Sequence, residues 1–279
     1  MPRRSVLFSP GDRPSLMRKA PGAGADVLVF DLEDAVAPER KPEARDAVVD
    51  VLSDPEFDPD AEVSVRVNPG DGGIDDVHAI CGAHPPDALV VPKAKSAAEV
   101  TRVADAARAV GADCPVIAII ESAAGVLASP DVASAEDTTA LIFGAEDFAA
   151  DVGATRTADG TEVLYARERV VVAAAAADVD AIDTLHVDYS DADGLREDAR
   201  FSRQLGYDGK LAIHPTQVPI INDAFSPDPE DVEWAKKVLR ARDEADADGR
   251  GVFGVDGEMI DAPLVKQAEN ILDRAGDSY

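Results

Sequence analysis

The chain has 279 residues, of which 46% are hydrophobic, and this is enough to bury the core of one α/β domain of roughly 250 residues. Its 55 acidic residues against 27 basic ones give a net charge of -28, which repels nucleic acid and anionic membrane surfaces, so neither is expected as a partner. The acidic residues are spread along the chain, which we interpret as the surface of a halophilic protein from a salt-rich cytoplasm; an ordinary acidic protein is the alternative.

The cysteines and the N-terminal segment carry no targeting or metal pattern. Cys81 and Cys114 lie in no CxxC or Cys/His spacing, so we expect free thiols rather than a disulfide framework or a metal site. Arg3 and Arg4 precede an apolar run that is too short for a signal-peptide core, and no apolar run approaches the length of a membrane span. These observations favour a soluble cytoplasmic protein.

Short apolar runs rich in β-branched residues alternate along the chain with alanine-rich stretches of helical character. Eight such runs are present: Ser5–Phe8, Val27–Phe30, Val63–Val67, Ala88–Val91, Val116–Ile120, Ala140–Phe143, Ile182–Val187 and Leu211–Ile213. Helices are predicted between them at 13–20, 42–52, 97–110, 165–177 and 195–205. This alternation is typical of parallel strands with crossover helices, so the sequence predicts an α/β protein with a (β/α)8 TIM barrel over residues 1–224. A doubly wound open sheet is the alternative.

The pattern changes after the eighth predicted strand. A proline-rich turn at 226–229 leads into a predicted helix at 230–247, a glycine-rich segment at 249–257 and a last helix at 263–274. An appendage of this length is small for an independent domain. We therefore interpret residues 225–279 as a C-terminal helical lid or oligomerisation arm of the same domain.

Polar residues lie at or just beyond the C-terminal end of every predicted strand, where the active site of a (β/α)8 barrel lies. They are Asp12 and Arg13, then Asp31, Glu33 and Asp34, then Arg66 and Asn68, then Lys93, Glu121, Glu146, Asp147, Asp188 and His214. Each one alone is compatible with a loop charge or a helix cap. Together they would converge on one mouth of the barrel, where crowded carboxylates need a cation.

Ordered motifs within these segments carry a specific resemblance. They are RSVLFSPGDRP at 4–14, DLEDAV at 31–36, VRVN at 65–68, VPK at 91–93, IESAAG at 120–125, FGAED at 143–147, IHP at 213–215 and GEMIDAP at 257–263. With these motifs the chain resembles the citrate lyase β-subunit-like family over nearly its whole length. That family includes malyl-CoA, β-methylmalyl-CoA and citramalyl-CoA lyases and malyl-CoA thioesterases.

The resemblance implies a magnesium site at Glu121 and Asp147, with Mn²⁺ as a substitute. Magnesium prefers one or two carboxylates, with water and substrate oxygens completing its coordination. Two helix-capping acids are the alternative. The turn formed by Gly144, Ala145 and Glu146 would add backbone N–H donors for a substrate carboxylate, unless Gly144 only permits a tight turn.

The resemblance also implies catalytic roles for three residues. Arg66 matches the arginine that would stabilise a thioester enolate, and a structural ion pair is its alternative. Glu33 matches an active-site acid that would order a water molecule or accept a proton from the substrate hydroxyl. Asp261 matches the lid aspartate that exchanges a proton with the α-carbon of the acyl-CoA, although Asp-x-Pro is also an ordinary helix start.

The remaining candidates concern substrate binding. Arg13 and Lys93 are basic residues near the barrel mouth of an acidic protein, and we expect them to meet CoA phosphates. His214 would hydrogen-bond substrate or tie the barrel top together.

The resemblance implies a magnesium-dependent, reversible retro-Claisen cleavage of a 3-hydroxyacyl-CoA. The products would be glyoxylate or pyruvate together with acetyl-CoA or propionyl-CoA. Hydrolysis of (S)-malyl-CoA to malate and CoA is one alternative, and a citrate lyase β-subunit that acts only with partner subunits is another. The family further implies a homotrimer or a homohexamer.

Overall fold

The computed structural model describes residues 2–247 and 252–276, and within them eight parallel strands close into a barrel. The strands are β1 Ser5–Pro10, β2 Val27–Asp31, β3 Glu62–Arg66, β4 Ala88–Val91, β5 Val116–Ile120, β6 Thr138–Phe143, β7 Asp180–Asp183 and β8 Gly209–Ala212. Each strand pairs with the next in the chain, and β1 pairs with β8. This closure confirms the predicted (β/α)8 barrel and excludes the doubly wound sheet, which would have two open edges.

Helices connect successive strands. They are α1 Pro14–Met17, α2 Lys41–Leu52, α3 Asp71–Ala83, α4 Ala97–Ala109, α5 Ala123–Ala133, α6 Ala145–Val152, α7 Thr161–Ala177 and α8 Ala192–Leu205, and α9 Val218–Phe225 follows β8. The helices predicted at 42–52, 97–110, 165–177 and 195–205 are present within a few residues of their expected bounds. Among the described residues, no helix combines the length and the apolar character that crossing a bilayer requires.

Strand alternation produces two apolar layers. Val27 and Val29 of β2 face the barrel interior, where they pack with alternate residues of the other strands, such as Val90 and Ile142. The intervening Phe30 faces outward and packs on the helical layer. Because both faces are buried, the strands read in the sequence as nearly continuous apolar runs.

Helix α2 shows how the outer layer is built. Its apolar residues recur on one stripe, and Ala44, Val48 and Val51 are fully buried against the outer face of β2 and β3. Pro42 stands in the first turn, where proline is tolerated because that N–H has no intrahelical acceptor.

Two predicted strands were misplaced. The seventh was expected at 182–187 but spans Asp180–Asp183, and the eighth was expected at 211–213 but spans Gly209–Ala212. Each of these strands has a charged residue at or next to its start, which is unusual in a buried strand. Ion pairs explain both residues, since Asp180 pairs with Arg3 and Lys210 is buried in an ion cluster. The apolar residues beyond β7 misled the prediction.

The predicted helix at 13–20 is also shorter than expected. Helix α1 ends at Met17, and a separate 3-10 helix spans Ala20–Ala23. Proline and glycine at positions 21 and 22 favour this break.

The described chain divides into two compact units, one of residues 3–223 and one beginning at residue 224. The second unit contains α10 Pro229–Ala247, β9 Phe253–Val255, β10 Glu258–Ile260 and α11 Ala262–Ala275. Strands β9 and β10 form an antiparallel hairpin whose turn residues, Asp256 and Gly257, both have positive φ, as a type I′ turn requires. The unit has its own apolar cluster, built around Val238, Ile260 and Leu272. Part of the glycine-rich segment predicted at 249–257 falls on residues 248–251, which lie outside the described residues.

A buried ion cluster joins the barrel to its helices. Asp183 at the end of β7 is fully buried and pairs with Lys210 of β8 at 3.1 Å and with Arg167 of α7. Ser202 Oγ donates to the same carboxylate at 2.6 Å, and Lys210 also pairs with Asp198 at 2.7 Å. Burial alone would raise the pKa of Asp183, but Lys210 and Arg167 hold it below its usual value.

We predict that Asp183→Asn lowers the free energy of unfolding by about 3 kcal/mol at neutral pH, because it leaves the buried cations Lys210 and Arg167 with Asp198 as their one remaining carboxylate partner in the cluster. Urea unfolding in concentrated salt measures this, since a buried pair is weakly screened. Asp46→Asn, at an exposed position of α2, is the matched control and should change little. Because the folded pKa of Asp183 is depressed, its contribution is present above the ordinary carboxyl range and is lost as pH falls below it. Equal unfolding curves for the two variants would contradict the cluster's role.

Candidate active site

A cavity of about 400 Å³ opens at the C-terminal ends of the barrel strands. Its wall follows strand alternation, because every strand except β4 contributes residues that continue its interior-facing series. They are Phe8, Asp31, Arg66, Ile119, Glu121, Gly144, Thr184 and Leu211. The predicted residues Ala145, Glu146 and Asp147 line the same cavity.

Arg66 is fixed by two acids. Asp31 is its register partner on the neighbouring strand, and the two make a bidentate pair with distances of 2.7 and 2.6 Å. Glu33 Oε2 lies 3.0 Å from Arg66 Nη1, but within the described residues no donor meets this oxygen with hydrogen-bond geometry. Burial alone would lower the pKa of Arg66, yet Asp31 and Glu33 raise it above the ordinary arginine value, so the guanidinium stays charged.

Glu121 is held in place by backbone groups. Its side chain is nearly buried, and Oε1 accepts a hydrogen bond of 2.8 Å from the Lys93 N–H. A Cβ at Gly144 would lie 2.7 Å from Glu121 Cβ and 2.8 Å from Oε2, so only glycine leaves the carboxylate its position. The glycine at 144 therefore does more than permit a turn.

The environment shifts the titration of two carboxyls. Burial raises the pKa of Glu121 to about 7, with Asp147 and Glu33 adding to the shift and the Lys93 N–H opposing it. Burial also raises the pKa of Glu33, although Lys93 and Arg66 act in the opposite direction. A cation close to Glu121 and Glu33 would stabilise the ionised forms of both carboxyls and lower their pKa values.

The start of α6 carries the other predicted metal ligand. Asp147 is exposed in the first turn of this helix and lines the cavity, and its charge acts on Glu121. Glu146 is also exposed and pairs with Arg156 at 2.8 Å. The part of the chain that the structure describes contains no group of three or more His, Cys, Asp or Glu side chains arranged to hold a metal. A pair of carboxylates completed by water and substrate remains a suitable donor set for magnesium.

The backbone donors predicted at the 144–146 turn are partly used. Gly144 N–H donates to the Ile120 carbonyl at 3.0 Å, and Ala145 N–H donates to Thr184 Oγ1 at 3.1 Å. Glu146 and Asp147 stand in the first turn of α6, where the backbone N–H groups have no intrahelical acceptor. These later N–H groups are the better placed donors for an anionic substrate group.

Two residues predicted to bind substrate, Arg13 and His214, lie away from the cavity wall. Arg13 is largely exposed, and its nearest acid is Asp12 at 3.7 Å. His214 follows Ile213, which lines the cavity, so in extended backbone its side chain points the other way. Its Nδ1 accepts the Thr216 N–H at 3.3 Å as a helix cap.

Asp188 was expected at the end of the seventh strand, and this is wrong. The strand ends at Asp183, and Asp188 is an exposed loop residue that accepts hydrogen bonds from Ser190. Thr184 takes the strand-end position instead and reaches the cavity.

Asp261 belongs to the second unit. It is the N-cap of α11, and its side chain accepts the Leu264 N–H at 3.4 Å. Lys93 is partly exposed beside the cavity, and its ammonium pairs with Glu33 at 2.5 Å. Lys93 does not line the cavity described above.

Two residues with clear roles were undervalued from the sequence. Asp31, which the sequence placed only among the polar residues at the strand ends, both pairs with Arg66 and lines the cavity, and Thr184 was not singled out. Strand alternation was the available signal for Asp31, because it continues the interior series of Val27 and Val29. Thr184 was hidden by the misplaced seventh strand.

We predict that Asp31→Asn lowers the free energy of unfolding by about 3 kcal/mol, because it leaves Arg66 buried with half of its counter-charge. Asp34→Asn is the matched control: this carboxylate is exposed and lies 3.9 Å from Lys93 Nζ, so its loss should cost less than about 0.5 kcal/mol. Urea unfolding of both variants makes the comparison. A similar loss in both would show that the bidentate pair is not what stabilises the strand ends.

Several known proteins are similar to this chain in sequence and in fold. The profile of the family described as HpcH/HpaI aldolase/citrate lyase matches residues 4–215. The mitochondrial citramalyl-CoA lyase of Homo sapiens is 36% identical over 290 residues, covering 97% of this chain and 84% of that protein. The citrate lyase subunit beta-like protein of Mycobacterium tuberculosis is 38% identical over 281 residues, covering 98% of this chain and 95% of that protein.

A solved structure extends the likeness. The protein CitE from Mycobacterium tuberculosis, in complex with magnesium, acetoacetate and coenzyme A, matches with a TM-score of 0.81 and 36% identity, covering 99% of each chain. The resemblance to the citrate lyase β-subunit-like family and the prediction of a lyase-type enzyme are thereby confirmed. The chain belongs to the HpcH/HpaI aldolase/citrate lyase family.

Proposed function

We propose that this protein is a magnesium-dependent lyase that cleaves a carbon–carbon bond of a 3-hydroxyacyl-CoA. The substrate would be malyl-CoA, β-methylmalyl-CoA or citramalyl-CoA, and the products a 2-oxoacid and acetyl-CoA or propionyl-CoA. One observation carries the proposal: a single cavity holds a fixed guanidinium, Arg66, together with the carboxylates of Glu121 and Asp147. The names of the human relative and of the CitE complex support the substrate class.

Glu121 and Asp147 would hold the magnesium ion, with Mn²⁺ as a substitute. The donor set fits, because magnesium uses one or two carboxylates and takes its remaining ligands from water and substrate. Gly144 is also compatible with a metal site, because the lack of a side chain there leaves the Glu121 carboxylate in place at the cavity wall. When bound, the metal supplies Lewis-acid polarisation of the carbonyl oxygen that forms on cleavage.

Arg66 would stabilise the charge that the reaction creates. Breaking the Cα–Cβ bond leaves its electron pair on the acyl-CoA as a thioester enolate, and a guanidinium already fixed by Asp31 needs no reorganisation to meet the enolate oxygen. Glu33 lies beside Arg66, and one of its buried oxygens meets no hydrogen-bond donor among the residues that the structure describes. Its raised pKa suits a carboxylate that takes the proton of the substrate hydroxyl.

Substrate binding would involve the remaining candidates. The N–H groups at the start of α6 suit the terminal carboxylate, and Arg13, being exposed, suits a CoA phosphate. Asp261 would return a proton to the α-carbon of the acyl-CoA.

We further propose that the second unit serves as a lid or oligomerisation arm, and that the protein is a cytoplasmic homotrimer or homohexamer without nucleic acid or membrane partners. The acidic composition supports the exclusion of polyanions. Light scattering in concentrated salt measures the subunit number.

The decisive assay incubates the purified protein with magnesium and (S)-malyl-CoA in concentrated salt and follows the 2-oxoacid and free thiol separately. Glyoxylate with acetyl-CoA and little free thiol is the expected result. Citramalyl-CoA and β-methylmalyl-CoA are tested in parallel, since the acyl chain is part of the proposal. Malate with free CoA would instead indicate a thioesterase. Turnover that requires added carrier and transferase subunits would indicate a citrate lyase β-subunit.

We predict that Gly144→Ala weakens magnesium binding by about tenfold or more, because the new Cβ displaces Glu121. Isothermal titration with Mg²⁺ or Mn²⁺ measures the affinity. Gly22→Ala is the matched control, since a Cβ there meets nothing within 4 Å. Equal affinities in the two variants would remove Glu121 from the metal site.

We predict that Asp261→Asn lowers kcat by roughly 100-fold while leaving the unfolding temperature unchanged. Asparagine caps a helix about as well as aspartate, so the N-cap of α11 survives, but an amide cannot exchange the proton. Steady-state kinetics and thermal unfolding separate the two roles. Unchanged kcat would leave Asp261 with its helix cap alone.

A further inference from the structure

Lys93 has a backbone conformation that lysine rarely adopts. Its φ is +54°, in the left-handed region where a Cβ is crowded. The turn is anchored on both sides, because β4 ends at Val91 and the Ala94 N–H donates to the Ile119 carbonyl at 3.0 Å. A strained residue beside a cavity calls for a functional reason.

The strained backbone aims a donor at the site. In this conformation the Lys93 N–H reaches Glu121 Oε1 at 2.8 Å. Gly144 lies on the other side of Glu121, and a Cβ at this position would collide with the Glu121 side chain. The carboxylate is therefore oriented between a backbone donor and a glycine.

The side chain explains why the residue is not glycine, which adopts this conformation without strain. The Lys93 ammonium pairs with one oxygen of Glu33 at 2.5 Å, while the other oxygen of Glu33 faces Arg66. The Glu33 side chain is only 3% exposed, so its charge depends on these two cations. One residue thus contacts both carboxylates.

We propose that Lys93 is a positioning residue that orders Glu121 through its backbone N–H and Glu33 through its ammonium. This replaces the CoA-phosphate role expected from the sequence. It rests on the proposed function, in which Glu121 binds the metal and Glu33 takes a proton.

The backbone half of the proposal is tested by metal binding. Lys93→Gly and Lys93→Val both lack the ammonium, but glycine adopts positive φ freely and β-branched valine does not. Titration with Mn²⁺ should give Lys93→Gly an affinity within about threefold of the wild type and Lys93→Val one roughly tenfold weaker. Lys93→Thr, which is also β-branched, serves if the valine variant fails to fold. Equal Mn²⁺ affinities for the glycine variant and the β-branched variant overturn this half.

The side-chain half is tested by kinetics. Lys93→Met should lower kcat about tenfold and leave KM for the thioester unchanged, and Lys93→Arg should restore most of the loss. Lys95→Met removes an exposed charge two residues away and should behave as the wild type. A raised KM with unchanged kcat would return Lys93 to CoA binding and overturn the inference.

Different results contradict the proposed function and the role of Lys93. A wild-type protein that binds no Mn²⁺ contradicts the proposed function as well as the role of Lys93. A wild-type protein that binds Mn²⁺ and cleaves thioester, but whose glycine and valine variants bind alike, contradicts only the backbone role of Lys93. If wild-type turnover is absent while Mn²⁺ binds, the cleavage reaction fails, and the glycine–valine comparison still decides the backbone role.

Discussion

Arg66 stands at the mouth of the barrel because Asp31, its register partner on the neighbouring strand, neutralises it with a bidentate contact. A buried guanidinium without that partner would be strongly destabilising. Glu33 lies beside the pair, and its second oxygen faces the same cation. The fixed positive charge on the cavity wall thus follows directly from strand register.

The rest of the mouth carries an excess of carboxylates. Asp34, Glu121 and Asp147 line the same cavity as the Asp31–Arg66 pair, and their mutual repulsion favours a cation between them. Burial raises the pKa of Glu121 to about 7, so the folded chain holds this carboxylate in an environment that a metal would relieve. Concentrated salt screens the acidic exterior but reaches such interior charges far less. Concentrated salt therefore weakens the repulsion between surface carboxylates more than the repulsion between the carboxylates at the cavity.

The barrel itself could be predicted, because eight apolar runs with helical segments between them admit few other architectures. Strand alternation also places Arg66 and Glu121 on the interior face. The bounds of β7 and β8 could not be placed, since Asp180 begins β7 and Lys210 is the second residue of β8, and the partners that explain both residues are distant in sequence. The contacts of Lys93 depend on a φ of +54° that no local pattern reveals. The role proposed for Asp261 could not be derived from its helix-start motif, because that motif indicates only the N-cap of α11.

The central claim is that a thioester enolate forms beside Arg66. The most direct test runs the reaction in D₂O with magnesium and malyl-CoA or citramalyl-CoA. The mass of the acyl-CoA product is then measured by mass spectrometry. The account predicts acetyl-CoA that carries one deuterium from protonation of the enolate. Free CoA with an intact hydroxyacid, or acetyl-CoA without solvent deuterium, would contradict it.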